Sequence, residues 1–130
     1  MIASGLAALA LPAKAQAIGS KTSNDWVRFE LQKYGDDGAK PRQVTHFFYL
    51  FAKDQVANLR VLSANELAQY LEGLGLVRAA MQIENGLAAE HETAVAPASF
   101  DVLTTLLADE MPKLSWDYDG WDCVVVHPVV

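Results

Sequence analysis

"VTHFFYLF", residues 44 to 51, is apolar, aromatic or β-branched at almost every position. A strand with one wet face alternates apolar with polar residues, so a run apolar on both faces reads as the interior strand of a sheet. Whatever this chain folds into must lay other strands on both sides of this one. At 130 residues it has room for one domain with a real core and not for two.

The flanking pattern supplies the rest of the sheet. "SNDWVRFELQKYGDDG" opens on the capping residues Ser23, Asn24 and Asp25, and Trp26, Phe29, Leu31 and Tyr34 then recur near helical spacing up to Gly35. "DDGAKP" is a turn: aspartates bond their own backbone, Gly38 accepts positive φ and Pro41 blocks a helix. In "LSANELAQYLEGLG", Ser63 caps and Glu66 completes a capping box. Leu67, Tyr70, Leu71 and Leu74 form the apolar stripe, and Gly73 or Gly75 stops the helix. Two short strands are expected about the turn Asn85-Gly86. A further helix from about Ser99 turns Phe100, Leu103, Leu106, Leu107 and Met111 inward and ends near Pro112. "GWDCVVV" makes the last strand, closed by His127-Pro128.

After the first helix the order is β-α-β-β-α-β. That order predicts an α+β, ferredoxin-like sandwich: a four-stranded antiparallel sheet, two helices on one face and a short N-terminal helix besides. Right-handed crossovers place the first and third strands of the unit in the centre. The other sheet face is then covered by the N-terminal helix or offered to a partner.

Residues 1–24 read as a tail or a cleavable signal peptide, and residues 25–130 as the domain. Ile2 to Leu11 is apolar, and Ala13-Lys14-Ala15 or Ala15-Gln16-Ala17 suits signal peptidase, but no basic residue precedes the apolar stretch. About ten apolar residues fall short of the roughly 20 that a membrane-spanning helix needs. The expected location is cytoplasmic, or periplasmic if residues 1–17 are cleaved. Net charge is −6, and the first 24 residues hold Lys14 and Lys21 but no acid, which leaves eight basic against 16 acidic side chains beyond them. Such a surface repels phosphate backbones, so a basic protein suits it and direct nucleic-acid binding does not.

Four kinds of site could carry chemistry. "DYDGWD", residues 117 to 122, gathers three carboxylates near Gly120, yet a calcium loop of the EF-hand kind puts glycine sixth and a glutamate twelfth, and here glycine is fourth. His46, His91 and His127 fall on or beside three strands, of which two should be neighbours, so two imidazoles can meet. No metal-ligand spacing supports them, and hydrogen-bonded structural histidines are the expectation. Cys123 with His46 or His127 could form a dyad, but a lone cysteine among valines is ordinarily a small core residue. Phosphate-binding glycine loops are absent from the sequence. No catalytic residue, metal or cofactor is therefore expected.

One constellation is left. "GDDGAKPRQVTHFFYLF" lies at the start of the sheet and "YDGWD" near its end, and neighbouring first and last strands would bring Arg42 to Asp117 or Asp119 and Trp121 beside Phe47 or Phe48. Here the chain resembles the regulator of ribonuclease E activity B family, which inhibits the endoribonuclease ribonuclease E. The likeness rests on Asp37, Gly38, Pro41, Arg42, Val44, His46 and the strand Phe47-Phe48-Tyr49, and on Tyr118, Asp119, Gly120 and Trp121. It extends over about residues 24 to 128. The resemblance implies a small α+β sandwich that binds a protein, ribonuclease E or another basic partner, and catalyses nothing. Asp37, Gly38, Pro41, Arg42, His46, Phe48, Tyr118, Asp119, Gly120 and Trp121 are then its motif or interaction residues. The chain departs from the family in lacking a long acidic tail after "HPVV" and in its alanine-rich start. A small exported ligand- or metal-binding domain is the alternative function.

Overall fold

The structure, a computed structural model, describes residues 8–9, 21–50 and 62–127. Phe51, most of the signal-like segment and Pro128 lie outside them. The elements are β1 (Ala8–Leu9), α1 (Lys21–Gln32), β2 (Arg42–Leu50), α2 (Ala64–Glu72), β3 (Val77–Arg78), β4 (Gly86–Thr93), α3 (Ala98–Glu110), a 3-10 turn (Met111–Leu114) and β5 (Trp116–Val124). They form the expected α+β sandwich. Four antiparallel strands run in the order β5-β2-β4-β3, and the two residues of β1 extend the sheet beyond β5. This is the ferredoxin-like order, with the first and third strands of the unit, β2 and β4, in the centre. β1 pairs Ala8 with Val124 and Leu9 with Cys123, so the sheet reaches into the segment read as a tail.

Alternation along β2 sorts the two faces. Val44, His46 and Phe48 are fully buried, while Thr45, Phe47 and Tyr49 are half-buried. The register carries the same division to the neighbours: His46 stands opposite Ala89 and Trp121, and Phe48 opposite Leu87 and Tyr118. Onto this inner face pack Leu67 and Leu71 of α2, Phe100 and Leu107 of α3, and Val27 and Leu31 of α1.

All three helices share that inner face. The N-terminal helix therefore does not cover the outer one, because Asn24 and Arg28 tie α1 to α3. Asn24 Nδ2 donates to Asp101 Oδ1 and Thr104 Oγ1, and Arg28 Nη2 donates to Asp101 Oδ1. This also turns α1 relative to the expected stripe. Val27 and Leu31 are buried, whereas Phe29 is 58% and Tyr34 48% exposed. In α3, Thr104 takes an inward place and Leu106 is exposed.

Two connections depart from expectation. Val77 and Arg78 pair with Glu90 and Ala89, so the hairpin is joined by residues 79–85 and not by a two-residue turn. Asn85, with φ 57°, instead ends that loop, its carbonyl accepting from the Leu50 N–H. The last strand begins at Trp116, four residues earlier than Gly120, and swallows "DYDGWD" whole.

Candidate functional site

Inside β5 that motif is a β-bulge. Tyr118 faces Phe48 and Trp121 faces His46, so three steps along β5 match two along β2, and Asp119-Gly120 together oppose Phe47. A bulge commonly places one residue in the left-handed region, and Gly120 sits there at φ 93°. The glycine fourth in the motif thus serves a strand irregularity, not a metal loop. Among the described residues no three histidine, cysteine or acidic side chains converge as a metal site.

The bulge aims two large side chains into the core. Trp121 Nε1 donates to Asn24 Oδ1 at 2.9 Å, and its indole meets the Phe100 ring edge-on at 4.7 Å. It therefore packs under the sheet and not beside Phe47 or Phe48. Tyr118 stacks at 5.4 Å on Phe48 and sets its hydroxyl 2.8 Å from His46 Nδ1. His46 Nε2 in turn lies 3.0 Å from His91 Nε2, so the two histidines do meet. Burial, with the neighbouring His91 adding to it, drives His46 down to about 3, and burial also lowers His91. Both rings are neutral near pH 7, and burial keeps the Tyr118 phenol protonated.

Arg42 turns away from Asp117 and Asp119 to a buried carboxylate at the end of the sheet. Its guanidinium forks onto both oxygens of Asp36, with Nη2 to Oδ1 at 2.9 Å and Nη1 to Oδ2 closer still. Asp36 also accepts from the N–H groups of Gly38 and Val126, and Arg42 donates to the carbonyls of Lys40 and Val124. Burial alone would raise the Asp36 carboxyl, but Arg42 and those two backbone donors hold it below its usual range. The clasp fastens the α1–β2 turn to the end of β5. Gly38, at φ 77°, accepts from Val95 and Ala96 through its carbonyl, and a Cβ there would press on Val95. Asp37 caps Ala39 from the surface and Pro41 is exposed.

The motif residues thus divide by exposure. Gly38, Arg42, His46, Phe48, Tyr118, Gly120 and Trp121 are buried framework, Asp37 and Pro41 are on the surface, and Asp119 is half-buried. Cys123 is buried too, and burial pushes its thiol up to about 12, the reverse of an activated nucleophile. His46 spends both ring nitrogens on Tyr118 and His91, which leaves no Cys123–His46 dyad.

The outer sheet face carries a cluster of charge. Thr45 stands opposite Glu90 and Asp122, Phe47 opposite Ala88, Tyr49 opposite Asp117, and Gln43 opposite Glu92. Five carboxylates, counting Asp119 in the bulge, therefore surround a central stripe of Thr45, Phe47 and Tyr49. Burial raises Asp122, and burial with the nearby Asp119 raises Asp117. Among the described residues no ion pair engages Asp117, Asp122, Glu90 or Glu92, while Arg28, Lys33, Arg42 and Lys113 pair elsewhere. The spacing Glu90/Glu92 and Asp117/Asp119, two residues apart, is the period of one sheet face and is the sequence signal for this patch. No helix among the described residues is long and apolar enough to cross a membrane. Comparison with protein-family models, with curated proteins and with solved structures finds no match to this chain.

Proposed function

We propose that this chain is a non-catalytic regulatory module that binds a basic protein segment on the outer face of its sheet, as an inhibitor of the ribonuclease E type. The observation that carries the reading is the outer face itself: five carboxylates around Phe47 and Tyr49, with no described helix over them. Partly buried carboxylates such as Glu90 and Asp122 gain when a cation arrives, and aromatic faces accept guanidinium and ammonium groups. Arg42 and Trp121, the other candidate contact edge, are buried and serve the framework. The same charge that invites a basic segment repels RNA, so the module acts on the ribonuclease and not on its substrate. The reading takes the chain to be cytoplasmic.

The test is cleavage of a labelled RNA by purified ribonuclease E with increasing amounts of this chain. Inhibition is expected at low salt, fading as ionic strength rises and screens the charges. Cleavage that proceeds unchanged at any excess of the chain removes the ribonuclease E assignment.

A further inference from the structure

Across β2 and β4 two imidazoles share a single hydrogen. With 3.0 Å between His46 Nε2 and His91 Nε2, one N–H fits between them and two would collide. Among the described residues the buried Tyr118 hydroxyl has no acceptor other than His46 Nδ1, so it donates there, and the hydrogen of His46 is on Nε2 and points to His91. His91 keeps its own hydrogen on Nδ1. Tyr118 and His46 are then both satisfied with the two rings neutral.

An added proton breaks that arrangement. His91, the half-exposed member, becomes imidazolium only if it carries hydrogen on Nε2 as well, and His46 Nε2 must then accept. His46 in turn moves its hydrogen to Nδ1, and the Tyr118 hydroxyl loses its acceptor in a buried site. A second proton puts two N–H groups nose to nose. Among the described residues no charged group offsets the charge on the pair. From β2, Arg42 is held by Asp36. From β4, the register turns Glu90 and Glu92 to the outer face. From β5, Tyr118 and Cys123 are neutral. From α3, the Phe100 ring faces His46 while Asp101 bonds Asn24 and Arg28, and Glu66 and Glu72 of α2 are exposed.

Repulsion within the protonated pair falls between β2, which carries His46, and β4, which carries His91, and not between β2 and β5. β5 is fastened to β2 and its turn by the Asp36–Arg42 clasp and by Trp121 to Asn24. Just past its end β4 is held by the Val95 and Ala96 N–H groups donating to the Gly38 carbonyl and by Arg28 donating to the Val95 carbonyl, and its outer neighbour is the two-residue β3, as the two-residue β1 is for β5. We propose that His91, His46 and Tyr118 form an acid-operated latch, in which adding protons to the imidazole pair releases β4, with β3 and the 79–85 loop, from β2. The latch is independent of what the outer face binds.

Native-state amide exchange on the full chain tests it. Release exposes His46, which then titrates as an ordinary histidine near 6.5, so opening becomes about 30-fold easier between pH 7.5 and 5.0. After correction for intrinsic chemistry, β4 amides are expected to exchange faster by about that factor, and β5 amides by much less. In the His46→Gln/His91→Gln double variant the acceleration disappears. No acceleration in β4, an equal acceleration in β5, or the same acceleration in the double variant overturns the latch. Should that variant not fold, the β4-against-β5 comparison in the unaltered chain decides alone.

Discussion

Trp121 fills an aromatic site against Phe100, and its N–H also satisfies the buried oxygen of Asn24, whose amide in turn bonds Asp101 and Thr104. Trp121→Phe keeps an aromatic ring, smaller than the indole, and removes the donor, which strands that oxygen. A loss of about 1–3 kcal/mol in urea unfolding is expected. Gly120→Ala forces a side chain into the left-handed region at φ 93° and should lose roughly 1–2 kcal/mol. Arg42→Met leaves the Asp36 carboxylate buried and unpaired, with an expected loss of about 3–5 kcal/mol. Asp36 is also an acid-side group. Its folded carboxyl lies below the usual range, so the unfolded chain takes up the proton first, and the stability it contributes is full above pH 4 and drains as pH falls further. An Asp36→Asn variant measured from pH 5 to 2 should show a shallower acid decline than the unaltered chain. At this scale the sequence was only partly legible. Asp36 and Asn24 read as turn and cap residues because their types favour both, and only the fold brings Arg42 and Trp121 to them. His46 and His91 could be expected to meet because neighbouring strands imply it.

Among the elements, α2 was the most legible, since its signals are local. Ser63 Oγ accepts from the Glu66 N–H while Glu66 Oε1 accepts from the Ser63 N–H, the reciprocal pattern that the sequence predicts. Ser63→Ala should destabilise the chain by about 1 kcal/mol, read as a lower thermal midpoint with an unchanged far-ultraviolet spectrum. Elements fixed by tertiary contact were harder to read. The face that α1 buries follows from its docking on α3 through Arg28 and Asn24, so Phe29 is left outside although its spacing suits a stripe. Asn85-Gly86 has the chemistry of a tight hairpin, but β3 pairs far from it, and Asn85 bonds Leu50 of β2 instead. In β5 a glycine between aspartates has the chemistry of a turn, whereas pairing along the whole length of β2 absorbs it as a bulge.

At the level of the whole molecule the strand order followed from the sequence of elements alone, because right-handed crossovers leave few alternatives. Which face α1 would cover did not follow, and the answer determines the account of function. With all three helices on one side, the outer face keeps Thr45, Phe47 and Tyr49 half-buried among Asp117, Asp119, Asp122, Glu90 and Glu92. Neutralising it should leave the fold intact, since these carboxylates lie outside the core cluster. The most direct measurement of the central claim is titration of purified ribonuclease E with the full chain and with an Asp117→Asn/Asp122→Asn/Glu90→Gln variant, by calorimetry at low and moderate salt. The account predicts saturable binding by the unaltered chain that weakens with salt, and affinity at least tenfold lower in the variant at low salt with its unfolding midpoint preserved. Equal affinity of the two chains, or no binding by either, would contradict it.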